Sequence, residues 1–72
     1  MAVTYEVKMK QELNEYYACE QWVFKNCVNL LHITLVDDGY DNGGWFIHKF
    51  VFDNENEAVM FKLRWSNEHT HI

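Results

Sequence analysis

The chain has no proline and few glycines, cysteines or serines. Its 72 residues include three glycines and two cysteines. Without proline there are no turns made rigid by that ring and no slow X-Pro isomerisation. No stretch approaches the 18 or so consecutive apolar residues that indicate a membrane-spanning helix. The sequence therefore predicts a protein that does not cross a membrane.

The two cysteines are Cys19 and Cys27. Residues 1 to 10 alternate polar and apolar side chains and contain no apolar segment typical of a signal peptide. Both cysteines are therefore expected to be reduced thiols of a cytosolic protein. If they share a helix, a separation of about 12 Å along its axis excludes a disulfide, which needs Cα atoms within about 7 Å.

Hydrophobic residues make up 49% of the chain and aromatic residues 17%, which predicts one small domain with a packed core. Six Lys and Arg against eleven Asp and Glu give a net charge of −5. This charge repels a phosphate backbone, so nucleic acid is not an expected partner. The charge is also too low, and too evenly mixed with lysine, to argue strongly for an acidic mimic of DNA.

Three strands and one helix follow from periodicity. Residues 3 to 9 alternate strictly, and residues 29 to 36 and 45 to 52 are β-branched or apolar runs. Residues 37 to 44 hold all three glycines and predict the loop of a hairpin. Residues 54 to 65 predict a helix, in which Asn54 and Glu57 have the spacing of a capping box.

Residues 11 to 27 have two interpretations. Apolar side chains lie close to helical spacing, and Asn14 or the Gln11–Glu12 pair could begin a helix. The alternative is a second strand. The run is long for a strand, which favours the helix.

The fold class predicted is therefore α+β, a two-layer βαββα arrangement. It corresponds to a split-βαβ or ferredoxin-like unit without the last strand. The alternative is a four-stranded antiparallel sheet with one C-terminal helix. Residues 1 to 65 are expected to form a single domain, followed by a flexible polar tail over 66 to 72.

No motif predicts an enzyme, a cofactor or a metal site. Aligned on an EF-hand loop, the acidic turn places Tyr40 and Lys49 where calcium ligands are needed. His32 and His48 are expected on the two arms of the hairpin, where they could face each other, but three or four ligands at suitable spacing are lacking. Phosphate loops and nucleophile motifs are also absent from the sequence.

Strand alternation divides the predicted sheet into two faces. The face expected under the helices collects Val3, Tyr5, Val7, Met9, Leu31, Ile33, Leu35, Phe46, Phe50 and Phe52. The opposite face is expected to meet water and includes apolar side chains large enough to drive association. Its predicted partner-binding residues are Trp45, Ile47, Val51, Val36, His32, Glu6 and Lys8.

The edge of the sheet gives a second argument for a partner. In a split-βαβ order the first strand lies beside the third, and the missing fourth strand would have covered its other side. An open edge can pair with a second copy, giving a homodimer, or with a strand of another protein.

Residues 50 to 65, FVFDNENEAVMFKLRW, resemble the C-terminal strand and helix of small accessory proteins of tailed phages of the T4-like and cyanophage types. The resemblance covers sixteen of 72 residues. It implies a phage-encoded protein that binds a host protein in the host cytoplasm, and it brings no catalytic residues. The function expected is a non-enzymatic protein-interaction module. The alternative is a protein directed at nucleic acid or mimicking it.

Overall fold

The computed structural model describes residues 3–40 and 43–66, apart from the side chain of Ser66. The elements are β1 (Tyr5–Gln11), α1 (Leu13–Asn26), β2 (Leu30–Asp37), β3 (Phe46–Phe52) and α2 (Glu55–Ser66). This βαββα order confirms the predicted α+β class. The predicted flexible tail falls, beyond Ser66, outside the described residues.

Within these described ranges the sheet has three strands, in the order β1-β3-β2. β3 runs antiparallel to both neighbours, so β1 and β2 are parallel to each other and separated by β3. The first strand therefore lies beside the third, as predicted. Both helices pack on one face of this sheet.

Residues 11 to 27 form a helix over most of their length, which excludes the second-strand alternative. Gln11 is the exception, because it ends β1 and pairs with Phe46. α1 begins after Glu12, whose backbone N–H donates to the Glu15 carboxylate at 3.4 Å. β1 thus lies two residues later than the predicted strand at both ends.

An aromatic cluster forms the centre of the core. Phe50, Phe52 and Phe61 are fully buried. The Phe61 ring centroid lies 4.6 Å from that of Phe50 and 5.4 Å from that of Phe52. Trp22 of α1 adds a ring 6.3 Å from Phe61. Phe61 therefore joins α2 to the sheet and to α1.

α2 begins as the sequence predicts, but Glu57, the acid of the predicted capping box, has another partner. The Glu57 N–H donates to the Asn54 side-chain oxygen at 2.9 Å, which satisfies one of the free amides of the first turn. The Glu57 carboxylate accepts from the backbone and side-chain N–H groups of Asn29. It therefore fixes the residue before β2 instead of completing the capping box.

Two carboxylates accept hydrogen bonds from the backbone at the start of the hairpin loop. Asp37 accepts from the Gly39 N–H at 2.8 Å, and Asp38 accepts from the Tyr40 N–H at 3.0 Å. Gly39 has a φ of 82°, and a Cβ there would come within 2.8 Å of the Trp45 carbonyl oxygen. Glycine is therefore required at this turn.

Three side chains predicted for the covered face are at least half exposed: Val3, Leu31 and Leu35. Val3 precedes β1. Leu31 is displaced by a register shift in β2, and Leu30 packs against the core instead. Leu35 lies on the helix side opposite His48 but is not covered there.

Candidate interaction surface

The sheet face away from the helices is defined here as the outer face. Cross-strand partners share a face, so the register assigns Glu6, Lys8 and Lys10 of β1 to it, opposite Val51, Lys49 and Ile47 of β3. β2 contributes His32 and Thr34, which pair with Val51 and Lys49. The structure thus brings Glu6, Lys8, His32, Ile47 and Val51 together as predicted.

The outer face is less apolar than the sequence suggested. Val51 is only 3% exposed, so its predicted availability to a partner is wrong. It lies in the central strand between Glu6 and His32, which flank it on both sides. Ile47 is half-buried.

Trp45 and Val36 lie outside the regular strand pairing that defines this face. Trp45 is half-buried and precedes β3 rather than belonging to it. Val36 is 49% exposed and falls in the second register shift of β2. The irregular backbone therefore removes Val36 from the regular alternation that the sequence predicted.

Positive charge gathers on the outer face near β1. Lys8 and Lys49 are direct cross-strand partners, and Lys10 lies two residues along the same face. The Glu6 carboxylate is 3.6 Å from the Lys49 ammonium group. Like charges in a directly opposed pair are unfavourable, so an additional carboxylate beside Lys8 would stabilise this face.

β1 forms an edge with a regular register. All seven of its residues pair in unbroken register with β3, from Tyr5 opposite Phe52 to Gln11 opposite Phe46. Within residues 3–40 and 43–66 no other strand pairs with it. Half of its backbone N–H and C=O groups therefore point away from the sheet without a strand partner.

β2, the other edge, is interrupted. Register shifts occur between Leu30 and His32 and between Leu35 and Asp37. Such bulges bend a strand and disturb its ladder of hydrogen-bonding groups, and they are a common protection of sheet edges. β1 is therefore the better surface for another strand.

The two strand histidines do not face each other. His32 is exposed on the outer face, whereas His48 is buried beneath α1. The imidazole of His48 stacks on Tyr16, with ring centroids 3.8 Å apart and planes 12° apart. Burial lowers the pKa of His48, and the Glu20 carboxylate acts in the opposite direction.

Tyr16 links His48 to an acidic side chain. Its hydroxyl donates to the Glu20 carboxylate at 2.8 Å. Burial, together with this hydrogen bond, raises the pKa of Tyr16 to about 12. The hydroxyl is therefore held neutral as a donor, which argues against Tyr16 as a general base at neutral pH.

A groove of about 410 Å³ separates α1 from β2. It is lined by Tyr16, Glu20, Phe24, Cys27, Leu30, Leu31, His32 and Ile33. Phe24 is 64% exposed and Leu31 50% exposed, so its rim is apolar.

Neither thiol has the character of a nucleophile. Cys19 is fully buried, and burial raises its pKa to about 12. Burial also raises the pKa of Cys27. Thiolates, which are the reactive form, are therefore disfavoured at both positions. Both cysteines are free, as the sequence predicts.

Over the described ranges no group of three or more His, Cys, Asp or Glu side chains is arranged to hold a metal ion. In the same ranges neither helix is long and apolar enough to cross a bilayer. Scans of protein-family models, curated proteins and solved structures find no match to this chain.

Sequence reasoning missed two features of the structure. One is the Tyr16–His48 stack, whose residues come from distant segments. The other is an exposed apolar pair on α2, Val59 and Leu63, which are 50% and 60% exposed. Their spacing of four residues is visible in the sequence and could have indicated a second apolar stripe.

Proposed function

We propose that this chain is a small non-enzymatic protein-interaction module, and that β1 receives a strand from another protein chain. The observation that carries the proposal is the edge itself. β1 pairs along its full length on one side and has no strand on the other within the described residues. Main-chain hydrogen bonds supply affinity in this mode of binding.

The exposed apolar surface supports the same conclusion. Among the residues that the structure describes, twelve large hydrophobic side chains are more than two-fifths exposed, including Phe24, Leu31, Val59 and Leu63. Scattered apolar residues are normal at a surface, but these include neighbours on α2 and along the α1–β2 groove. The resemblance of residues 50 to 65 to phage accessory proteins favours a phage-encoded modulator in the host cytoplasm, and its partner at β1 is a host protein or a second copy of the chain.

Residue-resolved amide exchange tests this mode directly. A partner captured from host lysate is added to the isotopically labelled chain, and exchange is followed by NMR. We expect new protection at alternate amides of β1. The amides of the bulged β2 edge serve as the internal control and stay unchanged. Protection confined to β2 or α2 would contradict strand addition at β1.

A second candidate function has one favourable observation. Lys8, Lys10 and Lys49 share the outer face, although the chain as a whole is acidic. A single-stranded nucleic acid needs such a basic track together with exposed rings. Salt-dependent binding of a labelled oligonucleotide that is lost in Lys49→Ala would support it, and the absence of any binding at low salt would reject it.

A further inference from the structure

We infer that the strand received by β1 is β1 of a second copy, so that two chains form a symmetric, continuous six-stranded sheet. This inference rests on the proposed function and identifies the partner. In an antiparallel pair the facing residues must lie on the same face of the sheet. Along β1 the even-numbered residues share one face and the odd-numbered residues share the other. Two facing residues must therefore both be even-numbered or both be odd-numbered, which leaves few registers to compare.

Charge selects one register among these. With Val7 facing the second copy's Val7, each Glu6 faces a Lys8 and Tyr5 faces Met9. Centring the pair on Glu6 or on Lys8 places two like charges directly opposite, and centring it on Met9 places Lys8 opposite Lys10. The Val7 register alone brings opposite charges together without a like pair.

This register also places a carboxylate of the second copy near the lysines on the outer face. Lys8 faces Lys49 within the chain, and the nearby Glu6 carboxylate lies 3.6 Å from Lys49. The second copy's Glu6 arrives on the other side of Lys8. Each lysine of the opposed pair then has a carboxylate beside it.

The position of α2 fits the same pairing. α2 packs over β1 and β3. Neighbouring strands lie about 4.8 Å apart, so the two-fold axis runs about 2.4 Å outside β1. The α2 helices of the two copies therefore lie next to each other in the layer that covers the joined sheet.

α2 presents an apolar residue to this contact. Glu57 reaches Asn29, which lies in the connection from α1 to β2, so that side of α2 faces away from the β1 edge. Val59 follows two residues later, about 200° around the helix. It is therefore directed towards the edge, is 50% exposed, and becomes covered by the second copy's α2.

Charge reversal tests the register. Sedimentation velocity of the full chain at about 100 µM is expected to give twice the 8.7 kDa mass, because a micromolar dimer is mostly assembled there. Glu6→Lys and Lys8→Glu each create two like pairs and are expected to weaken the dimer about tenfold. The double variant restores opposite charges and is expected to recover wild-type affinity. Lys25→Glu on α1 has the same charge change as Lys8→Glu and leaves the dimer unchanged.

Neutral variants keep the register testable if a charge reversal prevents folding. Far-UV circular dichroism and melting are recorded for every variant. If a charge reversal unfolds the chain, Glu6→Gln and Lys8→Gln replace it, with a smaller weakening expected. Val59→Lys is expected to weaken the dimer, whereas Val28→Lys, at an 89% exposed position, is not.

Two results overturn the inference. One is a monomer at about 100 µM, where a micromolar dimer would be seen; if a captured partner still protects β1 amides, the proposed function stands without self-pairing. The other is a dimer that is insensitive to the single reversals or is not recovered by the double variant. Such a dimer forms through another surface, and exchange at β1 then decides the proposed function separately.

Discussion

The Glu57 carboxylate holds Asn29 at two points, accepting from its backbone N–H at 2.9 Å and its side-chain amide at 3.1 Å. The Asn29 carbonyl in turn accepts from the Asp53 N–H at 3.0 Å. This part-buried arrangement ties the start of β2 to the end of β3 and to the first turn of α2. We therefore expect it to stabilise the hairpin on which β1 pairs.

Glu57→Ala should lower the free energy of unfolding by about 1–3 kcal/mol, because hydrogen bonds to a charged group are lost and the Asn29 donors lose their partner. Urea unfolding followed by circular dichroism measures the change. Glu55→Ala, an exposed acid in the same first turn, is the control and should cost less. Equal effects of the two variants would show that Glu57 acts only through helix-end charge.

Buried His48 should make stability depend on pH. Burial lowers its pKa in the folded chain, whereas the unfolded chain retains the ordinary value of about 6.5. Below that value the unfolded state takes up more protons than the folded state, so stability falls as pH falls from 7 through the folded pKa. His48→Phe should reduce this loss while keeping a ring against Tyr16.

The control for this pH dependence is His32→Gln, because His32 is exposed on the outer face. Its denaturant midpoint should follow the wild-type pH profile between pH 7 and pH 5. Identical profiles for His48→Phe and wild type would show that carboxylates, not His48, cause the loss.

The two thiols should not react with Ellman's reagent in the native state. Cys19 is 0% and Cys27 4% exposed, and burial raises the pKa of both. Both should react promptly in denaturant, with two equivalents released per chain. A native thiol that reacts as fast as free cysteine would contradict the buried positions.

Phe61→Ala should unfold most of the protein. Loss of a fully buried aromatic ring costs about 3–5 kcal/mol, which is a large part of the stability of so small a domain. Phe24→Ala makes the same chemical change at a 64% exposed site and should cost less than about 1 kcal/mol. Thermal melting compares the two, and similar melting temperatures would contradict Phe61 as the centre of the core.

Local patterns predicted most of the fold, because strand and helix periodicities are local properties. The Asn54 cap, the glycine-rich hairpin and the apolar run of β3 all required only neighbouring residues. The strand order β1-β3-β2 was also predicted. Because α1 connects β1 to β2, these two strands can lie apart in the sheet, with β3 of the hairpin between them.

Features that depend on contacts between distant segments could not be predicted from the sequence. Nothing in the local pattern places register shifts at Leu31 and Val36, and those shifts decided which β2 side chains are exposed. Gln11 looked like the start of a helix but ends β1, where it is 1% exposed. Val51 was assigned to the right face, yet its burial depends on the flanking strands rather than on its own alternation.

Amide exchange of β1 across a dilution series tests the central claim most directly. As the chain is concentrated, alternate amides from Tyr5 to Met9, which face each other in the Val7 register, should gain protection together, while those of β2 keep their rates. Exchange at β1 that is independent of concentration, and also unchanged by a captured partner, would contradict β1 as the interaction edge.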